Sequence, residues 1–287
     1  MLTYLQAAAL GLLQGITELF PISSLGHSVI LPALLGWNFD QTSSYFLPFL
    51  VLTHLATALV LLGFFWKDWV YIVQGILRSF FTRKLQGDPY ARLGWLLIVG
   101  TVPAGLLGLI FQKKLEPLFA NPKLAAALLF CNGLLLLGCE ILRRKATSNV
   151  LTEAMDAGTS ADIRIANTSW AHTLGIGTAQ ALALFPGLSR TGATLGGGLL
   201  SGLKHEDAAR FSFLLSTPII FAAAFLKVPH LLAADHETLY PALLGAALSG
   251  LAAWASITFL LRYFKTHTLW PFAIYCLAAG LLAFILL

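Results

Sequence analysis

Long apolar runs separated by short polar breaks dominate this chain. Six stretches, roughly 47–66, 93–112, 124–142, 211–228, 241–262 and 271–287, each come close to the ~20 apolar residues that a helix needs to cross a bilayer. Two further stretches, about 1–37 and 171–203, are as apolar but are interrupted by Pro, Gly and Ser. A straight span fits neither. Each reads as a re-entrant hairpin, two half-helices meeting at a turn inside the membrane. Irregular backbone is tolerated at that depth only when protein buries it or a wet cavity borders it.

Composition sharpens the picture: 57% of the 287 residues are hydrophobic and 11% are charged, with a mean hydropathy of +0.79. A soluble domain carries about 25% charged residues. The expected class is therefore an all-α polytopic membrane protein. No Lys or Arg precedes Lys67, so the basic region of a secretory signal is missing from the start of the chain. The net charge of +5 does not point to nucleic acid, because the basic residues lie in loops. If both interrupted stretches return to the side they entered, thirteen lysines and arginines fall on one side, in loops 67–92, 143–170, 204–210 and 262–270. The other side keeps four, Lys113, Lys114, Lys123 and Lys227. The positive-inside rule makes the richer side cytoplasmic.

This layout divides the chain into a first repeat (1–145), a Ser/Thr/Ala-rich linker (146–169) and a second repeat (170–287). Each repeat holds one hairpin and three spans, an odd number, so the two halves run in inverted topology. Phe49-Leu-Val-Leu-Thr53 is echoed by Phe213-Leu-Leu-Ser-Thr217. The three cysteines, Cys131, Cys139 and Cys276, lie in apolar segments without metal-type spacing and read as packing residues.

The chemistry lies in two polar islands. One is Gln14-Gly-Ile-Thr-Glu18-Leu-Phe-Pro21-Ile-Ser23-Ser24-Leu-Gly26-His27. The other is Gln180-Ala-Leu-Ala-Leu-Phe-Pro186-Gly-Leu-Ser189-Arg190-Thr191-Gly192-Ala-Thr194. Ionisable groups at membrane depth are costly and mark functional sites. Broken helices of inverted repeats bring such sites near the midplane. Pro ends one half-helix at each tip, and Ser23 or Ser24, and Ser189 or Thr191, can cap the next. Two helix N-termini then converge on one anion site. Arg190 adds a planar fork suited to phosphate. Ser23, Ser189, Thr191 and Gly192 are the expected substrate contacts. Gln14 and Glu18 share one helix face and could hold a hard cation, Mg²⁺ or Ca²⁺, together with phosphate oxygens. Ser24 and His27, three apart, are expected to meet, so that Ser24 attacks phosphorus with His27 as base. Attack by His27 itself, or by water that it activates, fits the residues too. His54, on an apolar span, reads as a packed polar group. The remaining histidines, His205 among them, read as solvated loop residues.

These motifs resemble the undecaprenyl-diphosphate phosphatases of the bacitracin-resistance type along the whole chain, down to Pro271-Phe-Ala-Ile-Tyr275. The resemblance implies a multi-pass enzyme of the bacterial inner membrane with a site open to the periplasm. It implies removal of the terminal phosphate from a polyprenyl diphosphate, recycling the lipid carrier of peptidoglycan synthesis, with a divalent cation as cofactor. It carries catalytic roles onto Glu18, Ser24, His27 and Arg190. Gln14 falls at a position where the family admits Glu or Gln, and Thr191 stands where Ser is commoner. Membrane lipids are the surrounding partners, nucleic acid is not, and a homodimer is left open. A phosphatidate-phosphatase-like site is excluded, because Gly196 stands where its second His would fall. A lipid flippase of the same architecture, or a non-catalytic lipid-phosphate receptor, are the rival functions.

Overall fold

Capped and punctuated helices build the whole of what the computed structural model describes, residues 2–37, 45–85, 87–147, 160–232 and 235–287. Within these residues there is no strand. The helices are α1 (Tyr4–Thr17), α2 (Ser24–Leu34), α3 (Phe46–Phe64), α4 (Trp66–Thr82), α5 (Pro89–Leu115) and α6 (Pro122–Thr147). They continue as α7 (Ala161–Ala166), α8 (Trp170–Ala179), α9 (Arg190–Leu200), α10 (His205–Leu232), α11 (His236–Tyr263) and α12 (Trp270–Leu286). Stretches within α3, α5, α6, α10 and α11 are long and apolar enough to cross a membrane. α12 is equally apolar but has 17 residues.

The two interrupted stretches each form a pair of short helices. α1 has 14 residues and α2 has 11, while α8 has 10 and α9 has 11. At 1.5 Å per residue none exceeds about 21 Å, short of the ~30 Å hydrocarbon core. A capping box starts α1: Gln6 N–H donates to Thr3 Oγ (3.2 Å) and Thr3 N–H to Gln6 Oε1 (2.9 Å). Ser169 Oγ starts α8 by accepting from His172 N–H (3.1 Å).

Two expected irregular stretches contain helices instead. The stretch 67–92, expected to be a loop, holds most of α4, which packs Ile72, Gly75 and Ser79 inward while Trp66, Val73, Phe80 and Phe81 face out. Its scattered charges count toward topology, but they do not interrupt the helical spacing of its apolar residues. The expected linker contains α7; residues 148–159 of that linker lie outside the described residues. α7 is pinned by charge. Arg164 bonds Asp207 on α10 (2.6 and 2.7 Å), and Asp162 accepts from Arg210 Nε (2.9 Å), whose Nη2 also meets Asp68 of α4 (2.8 Å). His205 is likewise not a solvated loop residue. It is buried and bonds Glu140 of α6 at 2.8 Å.

Packing follows a paired scheme. α3 lies on α10 and α6 on α12, while α1 lies on α11 as α8 lies on α5. α2 and α9 both rest against α6. In lipid, helices associate through close packing rather than through hydrophobic transfer, so small residues line the contacts. A Cβ on Gly11 of α1 would come within 2.1 Å of the Gly245 carbonyl oxygen of α11. A Cβ on Gly177 of α8 would come within 2.4 Å of the Gly100 carbonyl oxygen of α5. Gly11→Ala should therefore destabilise the fold by about 1–3 kcal/mol through overpacking. Gly138→Ala, with nothing within 4 Å, should be neutral or stabilising by up to about 1 kcal/mol. Thermal unfolding of the two variants in detergent, beside the parent, measures the contrast.

Candidate active site

Two turns, residues 18–23 after α1 and 185–189 before α9, meet beside α6. Ser23 caps α2: its Oγ accepts from Gly26 N–H (3.2 Å) and also from Gly187 N–H across the junction (3.2 Å). Ser23 sits at φ 69°, a conformation unusual for a residue with a side chain. Its hydroxyl, bonded to both turns, helps hold it there. Ser189 caps α9, accepting from Gly192 N–H (3.0 Å). The matching caps are thus Ser23 and Ser189, although the sequence aligns Ser24 with Ser189 by distance from Pro. Gly187, at φ 108°, is the extra residue in the second turn. In the register of the caps, Ser24 and Arg190 occupy the same place, the first residue of a helix.

Asn132 of α6 ties the turns together. It is fully buried, donates Nδ2–H to the Pro21 carbonyl (2.9 Å) and accepts from Ser189 N–H (3.0 Å). Its Nδ2 also reaches Cys276 Sγ of α12 (3.3 Å). Thr191 Oγ–H donates to the Glu18 carbonyl (2.9 Å). Thr191 and Gly192, expected as substrate contacts, therefore spend their donors holding the turns.

Glu18 is the hub. It is buried, and its Oε2 accepts from Ser24 Oγ–H (2.5 Å) and Gln14 Nε2–H (2.9 Å), with His54 Nε2 at 3.1 Å. Its Oε1 is held by Arg190 Nη2, while Arg190 Nη1 donates to the Ser216 carbonyl of α10 (3.2 Å). A buried carboxylate is tolerable only when paired and hydrogen-bonded in this way. The expected Ser24–His27 pair does not form. Ser24 turns toward Glu18. His27 places Nδ1 2.7 Å from the Ser23 carbonyl and Nε2 2.7 Å from Tyr275 Oη, with the two rings stacked. Nor is His54 a packed bystander. Its Nδ1 lies 2.6 Å from the Leu50 carbonyl, which can only accept, so Nδ1 carries a proton and Nε2 is left to face Glu18.

A cavity of about 360 Å³ opens on this hub. Glu18, Ser23, Ser24, His54, Ser189 and Arg190 line its polar end. The rest is apolar, formed by α3, α5 and α10 through residues such as Leu47, Val51, Leu109 and Ile219. The starts of α2 and α9 border it together, the arrangement that favours an anion.

The donor set does not fit a resident divalent cation. Glu18 is the one carboxylate at the hub among the described residues, and both its oxygens already meet N–H or O–H groups. Gln14 turns its amide N–H₂ toward Glu18 and leaves its own Oε1 buried without a hydrogen-bond partner. Among the described residues, no three His, Cys, Asp or Glu side chains cluster in a metal-binding arrangement.

His54 and Asn132 are the site residues that the sequence reading missed. The sequence reading gives His54 only as a packed polar group and does not single out Asn132; a strongly polar side chain within an apolar run is the available signal for both.

Fold and site together define a multi-pass membrane protein with a buried, anion-receptive hub opening on an apolar cavity. The chain belongs to the bacitracin resistance protein BacA family, whose model matches residues 7–282. It is 45% identical over 294 residues to an undecaprenyl-diphosphatase of Acidiphilium cryptum, covering 100% of this chain and 99% of that protein. An undecaprenyl-diphosphatase 2 of Chromobacterium violaceum is 45% identical over 281 residues, covering 96% of each chain. An undecaprenyl-diphosphatase of Mycolicibacterium paratuberculosis is 44% identical over 292 residues, covering 97% of this chain and 95% of that one.

Asn132→Asp places an oxygen opposite the Pro21 carbonyl and should cost about 1–3 kcal/mol of stability, the penalty of an unsatisfied buried group. Asn132→Gly strands both the Pro21 carbonyl and the Ser189 N–H and places a glycine inside α6, so it should cost at least as much as the aspartate in the same thermal measurement.

Proposed function

We propose that this chain removes the terminal phosphate of undecaprenyl diphosphate, giving undecaprenyl phosphate and inorganic phosphate. In a bacterial cell this returns the lipid carrier to peptidoglycan synthesis and opposes bacitracin. The observation that carries the reading is the Ser24–Glu18 hydrogen bond of 2.5 Å at the polar end of an apolar cavity. A nucleophile, a base and a phosphate-binding cation lie together where a lipid diphosphate has room for its head and the start of its chain. The names of the family's relatives point the same way.

In this reading the terminal phosphate lies against Arg190 and the starts of α2 and α9. Ser24 Oγ attacks its phosphorus, and the Oγ proton passes to Glu18 Oε2. The Oγ–P bond forms as the bond from that phosphorus to the bridging oxygen breaks. The lipid monophosphate leaves with the bridging oxygen. Water then takes the phosphoryl group, and Ser24 regains its proton from Glu18. Fixed donors in a nearly dry site stabilise the charge that develops on the phosphoryl oxygens. Ser23 and Ser189 border the same space. His27 acts at one remove, holding the Ser23 carbonyl and so the turn that presents Ser24. The Mg²⁺ or Ca²⁺ requirement belongs to the proposal as a cation carried in on the diphosphate oxygens, since Glu18 and Gln14 alone do not compose a resident site.

We also propose that the two halves are inverted repeats, with α1–α2 and α8–α9 as re-entrant hairpins and the cavity open to the periplasm of the inner membrane. The paired packing supports this. An exchange of halves maps α1 on α11 onto α8 on α5, and it maps α3–α10 and α6–α12 onto themselves.

Phosphate release from a prenyl diphosphate by the purified protein tests the reading. Ser24→Ala and Glu18→Gln should each lose about 10²–10⁴-fold in kcat. Arg190→Lys should lose about 10²–10³-fold, because an ammonium cannot reproduce the fork. His27→Gln should lose about tenfold or less, because its role is indirect. Lipid binding without any phosphate release by the parent would instead fit a lipid carrier.

A further inference from the structure

His54 lines the cavity beside Glu18 and Arg190, and the chemistry above leaves it without a task. We infer that His54 is a specificity-determining residue that binds the inner, lipid-linked phosphate and so makes the site prefer diphosphates to monophosphates. The inference rests on the phosphatase reading and adds a role to it.

The argument is geometric. Arg190 and His54 meet Glu18 from different sides, one on Oε1 and the other on Oε2. They are therefore two separate anchor points rather than one. Arg190 begins α9 beside the turns, at the polar end of the cavity. His54 stands on α3 one turn beyond Leu50 and Val51, which belong to the apolar lining. It thus sits on the border between the polar and apolar parts. A diphosphate whose chain lies along α3, α5 and α10 brings its inner phosphate to that border and its terminal phosphate to Arg190. The ring is ready for the contact. The Leu50 carbonyl fixes its orientation through Nδ1, so Nε2 points along one direction. Nε2 lies 3.1 Å from Glu18 Oε2 and, whenever it carries a proton, can donate it to a phosphate oxygen. The side chain of His54 is 21% exposed, against 5% for Glu18, so an incoming anion meets the imidazole before the carboxylate. Among the described cavity-lining residues, Glu18 and Arg190 are the only Asp, Glu, Lys or Arg side chains, and α5 and α10 contribute apolar side chains near this point.

A monophosphate fills the Arg190 position alone, so His54 should matter less to it. The test compares farnesyl diphosphate with farnesyl monophosphate, in the parent and in three variants. His54→Leu and His54→Asn should lower kcat/KM for the diphosphate by about 10–100-fold, the worth of a hydrogen bond to a charged group. The same variants should lower the monophosphate rate by a clearly smaller factor, the part that comes from the lost His54–Glu18 contact and is common to both substrates, so the ratio of the two losses carries the test. His54→Gln, whose amide reaches as far as the imidazole, should restore part of the diphosphate preference. Inhibition of the residual turnover supplies a second, independent reading. Inorganic pyrophosphate should lose potency against the Leu and Asn variants, while inorganic phosphate keeps its potency. Equal losses on both substrates, or an unchanged preference in both variants, would overturn the inference while leaving the phosphatase reading intact. If the Leu variant does not fold, the Asn variant decides. A parent that releases no phosphate from farnesyl diphosphate would remove the phosphatase reading itself, and this inference with it.

Discussion

A buried carboxylate has to be surrounded by donors, and the Glu18 carboxylate organises this molecule. Its partners come from its own helix (Gln14), from the start of the next (Ser24), from α3 (His54) and from the second half of the chain (Arg190). Loss of one partner of a buried ion pair costs about 3–5 kcal/mol, because the other charge is then stranded. The turns around residues 18–23 and 185–189 are therefore not free to drift apart. Thr191, Ser23 and Asn132 add neutral hydrogen bonds across the same junction. None of these groups is long or flexible, so the junction admits little play.

The need to satisfy that charge also shapes the reactive chemistry. Ser24 could have turned to His27, three residues on and on the same helix. It turns to Glu18 because a carboxylate is the stronger acceptor and still has lone pairs to fill. His27 is then committed to the Ser23 carbonyl and Tyr275, where its ring braces the turn from the outside. The same demand draws His54 out of the role of a packing residue. Each of these assignments follows from where the donors of a low-dielectric interior have to go.

Much of this was legible in the sequence. The apolar runs gave the helices, because only helices and closed barrels satisfy a backbone in lipid. Gln14, Glu18, Ser24 and Arg190 stood out because polar and ionisable groups are scarce at membrane depth, and all four meet at one hub. Other features were not legible. α4 lies in a stretch whose charges read as a loop, and α7 lies in a stretch whose composition reads as a linker. Both are secured by contacts to distant segments, Arg210 with Asp68 and Asp162 among them. His205 looked like a solvated loop residue until Glu140, 65 positions earlier, was placed against it.

The sequence by itself determined the class of protein, the positions of the two polar turns and the residue types they offer. These are local properties, set by hydropathy, by Pro and Ser at helix ends and by the cost of charge in an apolar run. The tertiary structure decided which side chains pair. Ser24 goes to Glu18 rather than His27, His54 enters the site from α3, and Asn132 ties the two turns from α6. The cap register, which sets Ser24 and Arg190 in equivalent places, depends on the one extra residue at Gly187. Partners far apart in the chain compete for the same few lone pairs, and that competition is settled only when the helices are packed.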